Sequence, residues 1–200
     1  MGDTKAEMTN AEIAISQQIA ESAKLVGQIA TQKTIILEIA NIICNAFRVG
    51  NKVLLFGNGG SATDAQHIAG ELAGRFYRDR NPLPAIALNT DTCSLTAIAN
   101  DYGYEEIFSR QVRCLAQKGD IVIGISTSGN SANVLRGIQT ASQIGAITVA
   151  FTGKGGKLGE LADFIISVPS TDTPRIQEVH ITVGHIICYL VEEHIFGDLS

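Results

Sequence analysis

The sequence predicts an α/β protein: a three-layer, doubly wound, five-stranded parallel sheet preceded by two N-terminal helices. Three observations carry that reading. Five short apolar runs recur from residue 53 onward: VLLF (53–56), AIAL (85–88), IVIGI (121–125), ITVAF (147–151) and FIISV (164–168). The runs are continuous rather than alternating, which implies strands covered on both faces. Helical patterns near 61–76, 92–99, 105–117, 131–144 and 158–162 separate them, and strand–helix–strand alternation implies parallel pairing. In such a sheet a ligand binds at the carboxyl ends of the strands.

Two further helices precede the first strand. Residues 10–31 carry Ile15, Ile19, Ala23, Val26 and Ala30 at three- and four-residue spacing, and residues 32–49 carry Ile35, Ile36, Ile39, Ile42, Ile43 and Phe47. Both read as amphipathic helices, with Asn10 capping the first and Gly50 ending the second. Lying ahead of the first strand, they cannot form a crossover. They must pack on a sheet face, on each other or on a partner subunit. The last segment, 175–196, reads as a long helix rich in Ile, Val and Leu. No repeat or low-complexity linker divides the 200 residues, so one domain is expected over 1–200, with the helical pair at 1–50 and the α/β core at 51–200.

Composition narrows the function classes. Hydrophobic content is 45% against 18% charged residues, as in a compact globular protein. The formal charge of −5, without any Lys/Arg cluster, argues against a nucleic-acid partner. An anionic ligand would have to be held by local features, not by the overall field. No stretch approaches the roughly 18 apolar residues of a membrane span. The stretch MGDTKAEMTNAEIAIS lacks the layout of a signal peptide, and Lys5 and Ala6 leave the myristoylation pattern incomplete. Cys44, Cys93, Cys114 and Cys188 are scattered without a CxxC. They suit reduced thiols of a cytoplasmic protein, each a small buried hydrophobe.

Two loops at strand carboxyl ends could hold a phosphate: GNGGSA (57–62) and STSGNSAN (126–133). Their glycines let backbone N–H groups approach an anion, and the helix that follows each adds free donors and a positive dipole end. Ser126, Thr127, Ser128 and Ser131 place four hydroxyls within six residues. The plainer reading is turn and cap chemistry, for which Ser61 and Asn130 or Ser131 would suffice. Two such loops at one sheet edge favour anion binding. Gly57, Gly59 and Ala62 satisfy the dinucleotide fingerprint, but its acidic residue should come about 20 residues later. Asp91 lies well beyond that position. No Gly-Lys-Ser/Thr follows to make a P-loop, so a mononucleotide or sugar phosphate fits better.

His67 and Glu71 stand four apart on a predicted helix and share a face one turn beyond the glycine loop. They could share a metal, act as acid and base, or form an exposed polar face. Gly70 between them costs about 1 kcal/mol against Ala in a helix, which suggests close packing there. In the last helix Gln177, His180 and His185 interrupt an apolar pattern. A histidine there is either a satisfied core residue or a ligand. Helical geometry does not choose between His180 and His185. Gln177 and His185 differ by about 80° in direction, so they converge only on a target off the helix axis.

At these residues the chain resembles a known family. GNGGSATDAQHIAGEL, LTAIANDYGYEEIFSRQV, GISTSGNSANV and RIQEVHITVGH, in this order, are similar to the sedoheptulose 7-phosphate isomerases (phosphoheptose isomerases) of the flavodoxin-like sugar-isomerase (SIS) fold. The resemblance covers nearly the whole chain. It implies interconversion of sedoheptulose 7-phosphate and D-glycero-D-manno-heptose 7-phosphate, towards ADP-heptose for bacterial surface polysaccharide. It implies a homotetramer with active sites between subunits and one Zn2+ per subunit, held by His67, Glu71, Gln177 and His185. Ser126, Thr127, Ser128 and Ser131 would take the phosphate, and Asn58, Gly59, Gly60, Ser61, Asn100 and Asp101 would line the sugar with Glu71 and Gln177. Glu71 would act as base and His185 as acid, so the resemblance favours His185 over His180. A non-catalytic branch of the same fold associates with the replication initiator protein, and is also similar here around PAIALNTD and LTAIAND. That branch lacks the residues matching Glu71 and His185. Both are present here, so the enzyme reading leads. Departures are small: Gly70 stands where Ala or Glu is usual, and Pro174 precedes RIQE.

Overall fold

A computed structural model describes residues 9–197; the acylation pattern and the first eight residues of the stretch read for a leader lie outside it. The chain begins with helix α1 (Asn10–Gln28), a short 3₁₀ turn and helix α2 (Lys33–Arg48). Thr9, not Asn10, caps α1. It forms a capping box in which the Glu12 N–H donates to Thr9 Oγ1 while the Thr9 N–H donates to the Glu12 carboxylate at 2.7 Å. Beyond α2, Gly50 takes φ +84°, as a helix-terminating glycine does.

Five parallel strands follow: β1 (Val53–Gly57), β2 (Ala85–Ala87), β3 (Ile121–Ser126), β4 (Ile147–Thr152) and β5 (Phe164–Ser167), in the order β2-β1-β3-β4-β5. Helices α3 (Gly60–Ala73), α4 (Thr92–Tyr102), α5 (Ile107–Leu115), α6 (Ala132–Ile144) and α7 (Leu158–Leu161) connect them, and α8 (Thr173–Phe196) closes the fold. The predicted 105–117 helix is broken at its start into a 3₁₀ turn, Tyr104–Glu106.

Alternate strand residues divide between two cores. Val53, Leu55, Ile121, Ile123, Val149 and Phe151 join α2, α3 and α8 on one face. Leu54, Phe56, Val122 and Ala150 join α5, α6 and α7 on the other. That makes three layers, as expected.

Two expectations need correction, at the β2 edge and among the cysteines. The sheet is not covered on both faces at its β2 edge: Ile86 is 40% exposed and α4 buries no residue. The apolar stripe of α1 is largely open within one chain, which leaves the partner-subunit alternative standing. Ile15 and Ile19 are 59% and 64% exposed, and Leu25 is the residue that α1 buries. Of the cysteines only Cys44 and Cys188 are buried, where desolvation raises their thiols to about 11 and about 12; Cys93 and Cys114 are exposed.

Candidate active site

The strand order reverses between β1 and β3, which are neighbours with Gly57 opposite Ile125. The two loops leaving these strands are therefore side by side at the switch point, where open α/β sheets bind ligands. Asn58 and Asn133 join them by a reciprocal amide pair: Asn58 Nδ2 donates to Asn133 Oδ1 at 2.9 Å, and Asn133 Nδ2 to Asn58 Oδ1 at 2.8 Å. Tyr104 adds its hydroxyl to Asn58 Oδ1 at 3.0 Å. Asn89, at the end of β2, grips Gly57 by donating to its carbonyl at 2.8 Å. A Cβ on Gly57 would lie 2.7 Å from that of Ser61, so the chain can turn from β1 into α3 only with glycine there.

Neither helix N-terminus at these loops is capped by its N-cap side chain, although Asn133 Oδ1 accepts the Val134 N–H at 2.9 Å and the Ser61, Ala62 and Thr63 N–H groups bond to Asn58 and Gly59 carbonyls. Gly59, in positive φ, caps α3 without a side chain, and Ser131 makes no side-chain cap to α6. The hydroxyls are thus not consumed by capping. Ser126 Oγ, in a buried residue, lies 3.0 Å from Ser131 Oγ and 3.5 Å from Ser128 Oγ. Gly129, with φ +64°, lets the loop fold against Gly155 and Gly156 after β4. The result is a cluster of hydroxyls at the N-terminus of α6, suited to phosphate oxygens.

One turn further along α3 the polar chemistry changes. His67 Nε2 lies 3.1 Å from Glu71 Oε1 and 3.3 Å from His185 Nε2 of α8. The three ligand atoms lie within 4.8 Å of one another. Two imidazole nitrogens and a carboxylate oxygen so close together need a proton or a cation between them, and this donor set suits zinc. The residues present therefore fit a bound metal. Phe76 walls the cluster, its ring 5.7 Å from that of His185.

The structure separates the two histidines that spacing left open. His180 is fully buried, its Nε2 3.2 Å from the Thr152 carbonyl, and burial pushes its pKa down to about 4. It is the core residue, bonded through Nε2 while its buried Nδ1 has no hydrogen-bond partner among the described residues, and His185 faces the site.

Gln177 lies two turns before His185 and reaches the glycine loop. A Cβ on Gly60 would overlap its amide. Asn100 and Asp101, exposed at the end of α4, are hydrogen-bonded to each other at 2.8 Å. Gly70 is not the close approach expected of it: nothing lies within 4 Å of where its Cβ would be. The tight contact between α3 and α8 is at Gly184, where a Cβ would sit 2.6 Å from Ile68 Cδ1.

Three residues went unread in the sequence. Asn133 and Asn89 brace the loops. Asp64, one turn before His67, has its Oδ2 buried without a hydrogen-bond partner among the described residues; burial pushes its pKa up to about 6 although the His67 charge opposes this. Asp64 stands on the same helical stripe as Gly60, His67 and Glu71, and that periodicity was the available signal.

Comparison with known proteins agrees with this geometry. The SIS domain family profile matches residues 17–153. A phosphoheptose isomerase of Aquifex aeolicus is 62% identical over 159 residues, covering 79% of this chain and 83% of the relative. The chain belongs to the phosphoheptose isomerase family. Phosphoheptose isomerase 2 of Campylobacter jejuni shares 52% identity over 194 residues, covering 95% of this chain and 96% of its own length. Among solved structures, the family member from Neisseria gonorrhoeae matches with a TM-score of 0.87 at 38% identity, over 92% of this chain and all of that one.

Proposed function

We propose that the chain isomerises sedoheptulose 7-phosphate to D-glycero-D-manno-heptose 7-phosphate. The single observation that carries this is the His67–Glu71–His185 cluster beside a hydroxyl loop at the switch point of the sheet. The loop of Ser126, Thr127, Ser128 and Ser131 binds the phosphate, and Asn58, Gly59, Gly60, Ser61, Asn100, Asp101 and Gln177 contact the sugar hydroxyls. This orients the reacting carbons towards α3 and α8. Glu71, whose Oε1 faces His67, takes the proton from C1 through its other oxygen. His185 delivers a proton to the C2 carbonyl oxygen, which gives the enediol. Return of a proton to C2, with removal of one from the C1 hydroxyl, completes the aldose.

His67, Glu71 and His185, with Gln177 as a fourth ligand, would hold one Zn2+ per subunit. Such an ion supplies Lewis-acid polarisation of the substrate oxygens. The exposed apolar stripe of α1, with Ile15 and Ile19, supports assembly as a homotetramer with active sites between subunits. A role in the cytoplasm, towards ADP-heptose and surface polysaccharide, accords with four free thiols and with no described helix long and apolar enough to cross a membrane. The adaptor reading has no observation in its favour.

The test is incubation of the zinc-replete protein with sedoheptulose 7-phosphate, monitored for the aldose. Appearance of D-glycero-D-manno-heptose 7-phosphate supports the reading. Binding of the replication initiator protein without any product would replace it.

A further inference from the structure

The segment joining α3 to β2, GRFYRDRNP (74–82), is irregular, so its backbone N–H groups need partners from elsewhere. One carboxylate supplies three of them. Glu192 of α8 accepts the N–H groups of Tyr77 and Arg78 on Oε1, both at 2.7 Å, and that of Phe76 on Oε2 at 3.1 Å. Its fourth bond comes from Arg80 Nε at 2.8 Å. The two side chains are 2% and 1% exposed, so this is a buried ion pair. The rest of the Arg80 guanidinium turns to the end of α3. Nη2 donates to the Glu71 carbonyl at 2.9 Å, while Nη1 donates to Leu72, Gly74 and Asn81 carbonyls at 2.9, 3.2 and 3.1 Å. A cation thus caps the orphan carbonyls and the negative dipole end of α3.

We propose that the Arg80–Glu192 pair is a positioning device for the catalytic cluster, fixing Glu71 on α3 against His185 on α8. This rests on the isomerase reading above. Three contacts point to it. The guanidinium bonds the backbone carbonyl of Glu71 itself. Glu192 stands seven residues, two turns, beyond His185 on the same helix face. The loop N–H that Glu192 holds includes that of Phe76, whose ring packs at His185. Without the pair, the last turn of α3 would lose its cap, and Glu71 could drift from His185 while the phosphate loop stayed intact.

A second buried carboxylate gives the control. Asp120 is fully buried, pairs with Lys52 Nζ at 2.6 Å and accepts the N–H groups of Lys52 and Gln117, but it lies at the amino ends of the strands, away from the site. Glu192→Gln and Asp120→Asn should both lower the melting temperature. Only Glu192→Gln should weaken zinc binding, by about 10- to 100-fold in a chelator competition, and speed amide exchange over residues 66–74 of the metal-free protein. Its kcat should fall about 100-fold with KM nearly unchanged. Arg80→Lys, which keeps the charge but not the fork, should show the same pattern more weakly, and it carries the test if Glu192→Gln does not fold. The proposal is overturned if these variants match Asp120→Asn in zinc affinity and amide exchange. Zinc affinity and exchange need no turnover, so a wild-type protein inactive on sedoheptulose 7-phosphate would overturn the isomerase reading and leave this test standing.

Discussion

The two halves of the site are built in opposite ways. The phosphate end is local: Ser126, Thr127, Ser128 and Ser131 run from the last residue of β3 to the N-cap of α6, held by glycine backbone and by the Asn58–Asn133 pair. The proton-transfer end is assembled across the chain. His67 and Glu71 come from α3, and His185 comes from α8, 118 residues after His67. The local half depends on backbone shape and neutral donors. The assembled half depends on how two helices are registered, which Gly184 permits by letting Ile68 approach and which the Arg80–Glu192 pair holds from the far end.

If the halves are separable, variants should divide between kcat and KM. The largest effect is expected at the assembled half. His185→Ala should lower kcat by about 10³-fold, within the range for loss of a positioned acid–base group, and release zinc, while KM for the sugar phosphate changes little. Steady-state kinetics with metal analysis checks this; a variant altered only in KM would erase the division. Next is Ser128→Ala in the local half. Its exposed hydroxyl is spent only on neighbouring loop atoms, Ser126 Oγ and the Asn130 N–H. Losing one charge-assisted bond to phosphate should raise KM by about 10-fold, with zinc content and kcat preserved.

The smallest effect concerns His180, which lies outside both halves. Its folded pKa of about 4 lies below the ordinary 6.5 because burial disfavours the charged form. Between these values the unfolded chain binds more protons. Stability from this residue is therefore present above pH 6.5 and lost as pH falls towards 4, by on the order of 3 kcal/mol. Asp64, whose pKa is raised to about 6, has the opposite slope. The comparison is therefore His180→Gln, which keeps a donor for the Thr152 carbonyl, against wild type. Urea unfolding at pH 7.5 and pH 5 should show a smaller acid loss in the variant, with zinc content unchanged in both.

The same contrast explains what the sequence made legible. All five strands, the helices between them and both loops follow from short-range patterns, and the structure differs mainly at helix ends. The cap at Thr9 and the 3₁₀ turn before α5 depend on single hydrogen bonds that periodicity does not carry. The hydroxyl loop could be read because its chemistry sits in six consecutive residues. The choice of His185 over His180 could not be made from spacing, because it depends on which side of α8 faces α3 rather than β4. Gly70 misled for a related reason: a helical glycine signals close approach only when a neighbour lies on its side, and the neighbour is at Gly184. The open face of β2 breaks the expectation of full cover because intrachain packing does not reach it.

The central claim is that Glu71 removes a carbon-bound proton from a sugar phosphate held by the hydroxyl loop. The most direct measurement follows the C1 protons of sedoheptulose 7-phosphate by NMR in D₂O, with zinc-loaded wild type and Glu71→Gln side by side. The account predicts aldose formation, with loss of a C1 proton, for the wild type and neither for the variant, although the variant still binds the phosphate. Loss of the C1 proton at the wild-type rate in Glu71→Gln would contradict it.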